Sequence, residues 1–222
     1  AIDIILITHL HSDHIVDLYQ LYISGWHSGR TKPFKLVGPR GIEKFFNKTM
    51  EAYDDELSLR IEWEKRPNKG GLEIEIIEIN EEFTFDDQDI KIKSIEVQHQ
   101  PVEPAYGYEF LVKNKKVTYS GDTKYSKNLE NASKNAEYLI HEVFVDLNFD
   151  DKRMTQDTLK NVREYHSTPE DVGKLAQAAN VKNLVLNHFV PPVFDEELLK
   201  NEVSKYYDGK IIVGSDLDVF NL

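Results

Sequence analysis

The stretch THLHSDHI, Thr8 to Ile15, sets His9, His11, Asp13 and His14 within six positions, directly after an apolar run. A lone histidine is usually packed or solvent-exposed, but four such groups at one turn of the chain need a common reason. Imidazole and carboxylate are the donors that a hydrolytic divalent-metal site uses. His9 and His11 stand at i and i+2, so the end of an extended strand can turn both rings toward one ion. Asp13 and His14 follow where the chain turns into a helix, and can reach a second ion close by. The chain has no cysteine, which excludes thiolate ligands, a cysteine nucleophile and disulfides.

The elements around this cluster are readable. IDIILIT (Ile2 to Thr8) is β-branched and nearly continuous, as for a strand buried on both faces. Ile15, Leu18, Tyr19 and Tyr22 have helical spacing and predict a helix from His14 to about Ser24. FKLVGPRG (Phe34 to Gly41) predicts a strand and turn, and a helix follows from Ile42 to Tyr53. Leu72 to Val97 alternates apolar and charged residues and reads as strand, turn, strand with one wet face. Tyr106 to Asp122 reads as a hairpin turning at Asn114–Lys115, and Ala136 to Phe144 as another strand. A polar, acidic loop is expected from Asp146 to Arg153, then a helix from Thr155 to His166. The next helix starts with Thr168 as N-cap, Pro169 at its first position and Asp171 closing a capping box. A strand (Asn183 to Phe189), a helix (Asp195 to Tyr207) and a last strand (Lys210 to Val213) end the chain. Strands and helices alternate without linker, repeat or low-complexity segment, so residues 1–222 read as one mixed α/β domain.

His-x-His-x-Asp-His after a buried strand resembles the metallo-β-lactamase superfamily. The resemblance runs along nearly the whole chain: His99 in VQHQPVEPAYGYEF, Asp122 in YSGDT and His188 in LVLNHF follow at strand ends in that family's order. It implies an αββα sandwich in which His9, His11 and His99 hold one metal, Asp13, His14 and His188 a second, and Asp122 bridges them. The superfamily usually has strands ahead of the first motif. This chain opens on Ala1 inside a core strand, so the expectation is that fold lacking its first N-terminal strands, through processing, a chosen chain boundary or a missing segment.

The pairing of His99 with Tyr106-Gly107-Tyr108, the LIHE strand and HSTPEDVGKLAQAANVKNLVLNH together look like the ribonuclease Z and arylsulfatase-like branch. GPRGIEKFFNKTMEAYDDELSLR and HFVPP are closer to its arylsulfatase-like members. Ribonuclease Z usually carries a Gly/Pro-rich arm and an HFSxRY-like motif. Here Lys35 to Arg66 reads as a short helical connection, and Phe189-Val190-Pro191-Pro192 follows His188.

The resemblance implies a hydrolase using a hydroxide held by two divalent ions, zinc by default, with manganese or iron accepting the same donors. Asp13 would also orient that hydroxide. His166, in the HST motif, would give a proton to the leaving oxygen, and Glu142 would orient His166. His141 is read with Glu142 as the end of a strand, and His27 beside Trp26 as a surface or packing residue. Tyr106, Tyr108 and Phe144 are candidates to line a substrate pocket, and as aromatics at strand ends they are equally candidates for core.

The net charge is −12, which argues against a broad nucleic-acid-binding face, although 27 Lys and Arg leave room for a local basic patch. The resemblance implies phosphodiesters or aryl sulfate esters as the substrates. The alternatives are tRNA 3′-end processing, lactone or other carboxylic ester hydrolysis, and a metal-binding domain without catalysis. No apolar stretch is long enough to cross a membrane and no signal peptide is visible, so a cytoplasmic protein is expected. The branch implies a homodimer.

Overall fold

The computed structural model describes residues 2–86, 89–145 and 154–222. The acidic loop expected at 146–153 lies outside the described residues. The chain forms two compact units, residues 1–81 and 82–222.

The first unit runs β1 (Ile5–Leu6), α1 (Ser12–Ile15), α2 (Leu18–His27), β2 (Phe34–Pro39), α3 (Ile42–Ala52), α4 (Asp54–Glu64) and β3 (Ile74–Ile79). Its three strands are parallel in the order β1-β2-β3. The strand expected over 2–8 is shorter and is not buried on both faces. β1 is the sheet edge, Ile5 and Leu6 are half-buried, and Ile2 is 54% exposed. Cover begins at Ile7, whose N–H donates to the Val37 carbonyl at 2.8 Å, and Thr8 and His9 are buried after it.

The single helix expected over 14–24 is two, α1 and α2, interrupted at Val16–Asp17. Its apolar stripe is as expected: Ile15, Leu18, Tyr19 and Tyr22 are buried, and pack with Trp26, Phe34, Leu36, Ile42 and Phe46 in one core. Gly41, at φ +106, makes the turn before α3 in a conformation that side-chain-bearing residues rarely adopt. The connection over 35–66 contains β2, α3 and α4.

The second unit holds β4 (Thr84–Asp86), β5 (Ile90–Val97), β6 (Ala105–Val112), β7 (Lys115–Tyr119), α5 (Lys127–Ala132), β8 (Tyr138–Phe144), α6 (Gln156–Arg163), α7 (Pro169–Ala178), β9 (Asn183–Val190), α8 (Glu196–Ser204) and β10 (Lys210–Val213). Its seven strands lie in the order β10-β9-β8-β7-β6-β5-β4. Pairing is antiparallel from β4 to β7 and parallel from β7 to β10. The alternating run 72–97 is thus not one hairpin: β3 pairs with β2, whereas β4 pairs with β5. Alternation tells which face of a strand is wet, not which strand is its partner.

The β6–β7 hairpin turns at Lys113–Asn114, one residue earlier than expected. Both have positive φ, +49 and +65, the pattern of the tight turns whose twist matches that of the flanking strands. One sheet face, through Leu139, Val143, Leu184 and Leu186, packs on Val172 and Leu175 of α7 and Leu199 and Val203 of α8. α7 starts as its residues predict, with Thr168, Pro169 and Asp171 forming the full capping box. Tyr106, Tyr108 and Phe144 are all buried, which makes them core residues. Among the described residues no helix is long and apolar enough to cross a membrane.

Candidate functional site

In the first unit, β1 delivers its last residues into a loop that becomes α1. His11 is the N-cap position, extended at φ −64, ψ 146, and His14 N–H donates back to the His11 carbonyl at 3.1 Å. This tight turn brings the motif together. His9 is fully buried; its Nδ1 lies 3.0 Å from the Thr8 hydroxyl, and its Nε2 lies 3.0 Å from His11 Nδ1. Two imidazole nitrogens bound tetrahedrally at zinc–nitrogen lengths of about 2.0–2.1 Å stand about 3.3 Å apart, so this spacing suits a chelating pair. The His14 ring is 4.2 Å from the His9 ring, and Asp13 Oδ2 is 3.4 Å from His14 Nε2. Asp13 is exposed.

The second unit gathers residues far apart in sequence. His99 follows β5 and is fully buried. Its Nδ1–H donates to the Tyr165 carbonyl at 2.9 Å, which leaves Nε2 as the nitrogen with a lone pair to offer. Asp122 follows β7 through Ser120 and Gly121 and is 2% exposed. His188 lies within β9, and its Nε2 is 3.4 Å from Asp122 Oδ2. His99, Asp122 and His166 each present a ligand atom within 4.8 Å of the others, and so do Glu142, His166 and His188.

Glu142 is 1% exposed and serves as a hub. Its Oε1 accepts from His166 Nδ1–H at 3.1 Å, Thr123 N–H at 3.1 Å and Ser167 N–H at 3.0 Å. The Ser167 hydroxyl donates to the Thr123 carbonyl at 2.6 Å, tying the same loops together. Burial, and then the Asp122 charge, push the Glu142 carboxyl well above its ordinary range, while the two backbone N–H groups pull the other way. Buried acids this close together are costly unless cations compensate them. The donor set of imidazoles and carboxylates without thiolate fits hard-to-borderline divalent ions, so the residues present suit a metal centre.

His141 points to the other face of β8. It is fully buried, and burial lowers its pKa to about 4, so it is a neutral core residue. His27 is half-buried with its ring 5.3 Å from that of Trp26, as a packing residue would be. Reasoning from sequence assigned no supporting role to Thr8, Thr123 or Ser167. Ser167 stood in the HST motif and could have been found there. The supporting carbonyl and amide groups leave no trace in residue type.

The profile of the beta-lactamase superfamily domain matches residues 1–189. The chain is 28% identical over 219 residues to ribonuclease Z of Mycobacterium bovis, covering 96% of this chain and 77% of that protein. Among solved structures, the metallo-beta-lactamase fold protein YhfI from Bacillus subtilis superposes with a TM-score of 0.69 at 18% identity, covering 96% of this chain and 75% of that one. Human tRNase Z, short form, superposes with a TM-score of 0.63 at 23% identity, covering 97% and 77%. These likenesses show a shared fold, and the profile match over most of the chain shows descent: the chain belongs to the metallo-β-lactamase superfamily and is one of its hydrolases.

Proposed function

We propose that the chain is a dinuclear metal-dependent phosphodiesterase whose substrate is RNA. The observation that carries this reading is the network of buried His99, Asp122, Glu142 and His166 with half-buried His188, a set of possible metal donors joined to a carboxylate-held imidazole. By the superfamily's motif order, His9, His11, His99, Asp13, His14, His188 and Asp122 would be the residues that hold the divalent ions, and residues 1–222 would act as one hydrolase domain. Zinc is the first candidate. Divalent ions, when bound, supply Lewis acidity that offsets phosphate charge and ionises water near neutral pH.

The chain's own groups do the rest. Asp13 orients the attacking water. Glu142 accepts Nδ1–H, which orients the His166 ring and favours its protonated form, and the Nε2–H of that imidazolium gives its proton to the leaving oxygen. RNA is supported by the name of the M. bovis relative, a ribonuclease Z. A second reading, a small phosphodiester or aryl sulfate ester, is supported by α3 and α4, which fill residues 42–64 with helix in place of a Gly/Pro-rich arm, and by the net charge of −12.

The test measures metal content of the purified protein, then turnover of a precursor tRNA with a 3′ extension, bis-p-nitrophenyl phosphate, p-nitrophenyl sulfate and a lactone. The expected result is cleavage of the tRNA and the phosphodiester, lost on chelation and restored by zinc or manganese. His166→Ala should lower kcat by about 10²–10⁴-fold with metal content unchanged. Hydrolysis of the diester or the sulfate with no action on tRNA would transfer the case to the second reading. Metal binding with no turnover of any of the four would refute catalysis.

A further inference from the structure

The bulge that carries His188 has its own support. β8 and β9 are in register from Tyr138↔Asn183 to Glu142↔Asn187, and resume at Val143↔Phe189, so His188 is the extra residue. Its φ is +42, a region that residues with a Cβ seldom enter. A bulge re-aims a side chain, and a strained residue keeps its conformation only when its surroundings insist on it.

Those surroundings are polar and buried. Tyr119 pairs with Ile140, and Glu142, two residues on, pairs with Asn187. Alternate residues share a face, so Tyr119, Glu142 and Asn187 lie on one side of the sheet. The Asn187 Nδ2 donates to the Tyr119 hydroxyl at 3.4 Å. Asn187 Oδ1 and Glu142 Oε2 are buried acceptors with no hydrogen-bond partner among the described residues. Burial raises the Tyr119 pKa, and the Asp122 and Glu142 charges push it further up, against the Asn187 contact. The phenol thus keeps its proton while its oxygen accepts from the carboxamide.

We propose that Tyr119 and Asn187 are a positioning pair for the metal centre: the phenol holds the Asn187 carboxamide, and the carboxamide fixes the bulge that aims the next side chain, His188. The inference rests on His188 being a metal ligand. Removing the phenol oxygen takes away the partner of a half-buried amide donor at the base of the bulge, and the bulge relaxes.

The experiment titrates manganese and zinc into metal-stripped, full-length wild type, Tyr119→Phe, Asn187→Leu and the double variant, by calorimetry, alongside thermal unfolding without metal. The expected result is two binding classes in wild type, with one weakened about tenfold in Tyr119→Phe and Asn187→Leu and the other unchanged. The double variant should be no worse than the poorer single one, because both remove one contact. Unchanged affinities in both single variants would overturn the pair. So would equal weakening of both classes, which marks general loosening. A wild type that takes up no metal would overturn the metal-centre reading itself, and the pair with it.

Discussion

The two regions that carry the candidate metal donors are built in opposite ways. From His9 to His14 the groups are neighbours in sequence, and they touch one another: Thr8 to His9, His9 to His11, His9 to His14, Asp13 to His14. From His99 to His188 the partners come from distant segments: His99 with Tyr165, Glu142 with Thr123, His166 and Ser167. The first region exposes Asp13 and half-buries His11 and His14; in the second, His99, Asp122, Glu142 and His166 are all buried. A contiguous motif can be made by one turn of backbone. A dispersed one has to be held by hydrogen bonds across a sheet, and its buried acids carry a standing electrostatic cost.

The largest effect comes from removing one proposed ligand in each region. His11→Ala and Asp122→Ala should each lower turnover by on the order of 10³-fold or more. Their effects on the metal-free fold should differ. Asp122 is one cause of the raised Glu142 pKa, so Asp122→Ala relieves repulsion and should leave the metal-free melting temperature equal or higher. His11→Ala removes a half-buried ring and should change it little. Turnover and metal-free melting curves for both variants check this. Full activity in either one removes that residue from the site, and a lowered melting temperature for Asp122→Ala removes the repulsion argument.

Next in size is a pH effect confined to the second region. His141 has a folded pKa near 4, lowered from 6.5 by burial. Between those values the unfolded chain binds a proton that the folded chain does not, so stability falls as pH falls from about 6.5 toward 4. At 1.36 kcal/mol per pH unit the loss is on the order of 3 kcal/mol. Urea unfolding of metal-free protein across this window should show that slope in wild type and a flatter one in His141→Gln. Equal slopes would show that other groups carry the acid sensitivity.

Which parts could be read from the residues follows from the same contrast. His9 to His14 was legible because the donor types were adjacent and their spacing matched a strand running into a helix. β10 and the start of α7 were legible because their signals, an apolar run and a Thr-Pro-Glu-Asp cap, act locally. The partition of 72–97 between two sheets was not, since it depends on partners that local alternation does not specify. Glu142 as a hub was only half legible. Its link to His166 was expected from the family, but the amides of Thr123 and Ser167 are backbone, and any residue could have supplied them. Tyr119 and Asn187 were invisible because tyrosine and asparagine in strands are common, and only the bulge beside Asn187 suggests a task for them.

The smallest effect separates the two helix starts. α7 begins two residues beyond His166 with a complete capping box, in which Thr168 Oγ1 accepts from Asp171 N–H at 3.2 Å and Asp171 Oδ2 accepts from Thr168 N–H at 3.0 Å. α1 begins at His11 with no side-chain cap. Thr168→Ala should therefore cost about 1 kcal/mol, whereas Ser12→Ala, on exposed Ser12, should stay within about 0.5 kcal/mol. Turnover in Thr168→Ala should nevertheless stay close to wild type. His166 is held from elsewhere, by Glu142 through Nδ1 and by the adjoining Ser167, whose carbonyl accepts from Phe144 N–H at 2.7 Å. Denaturation midpoints and kcat for the two variants decide it. Equal stability losses would mean that the first region leans on its helix start as much as the second does. A large fall in kcat for Thr168→Ala would mean that the cap, rather than Glu142, sets the position of His166.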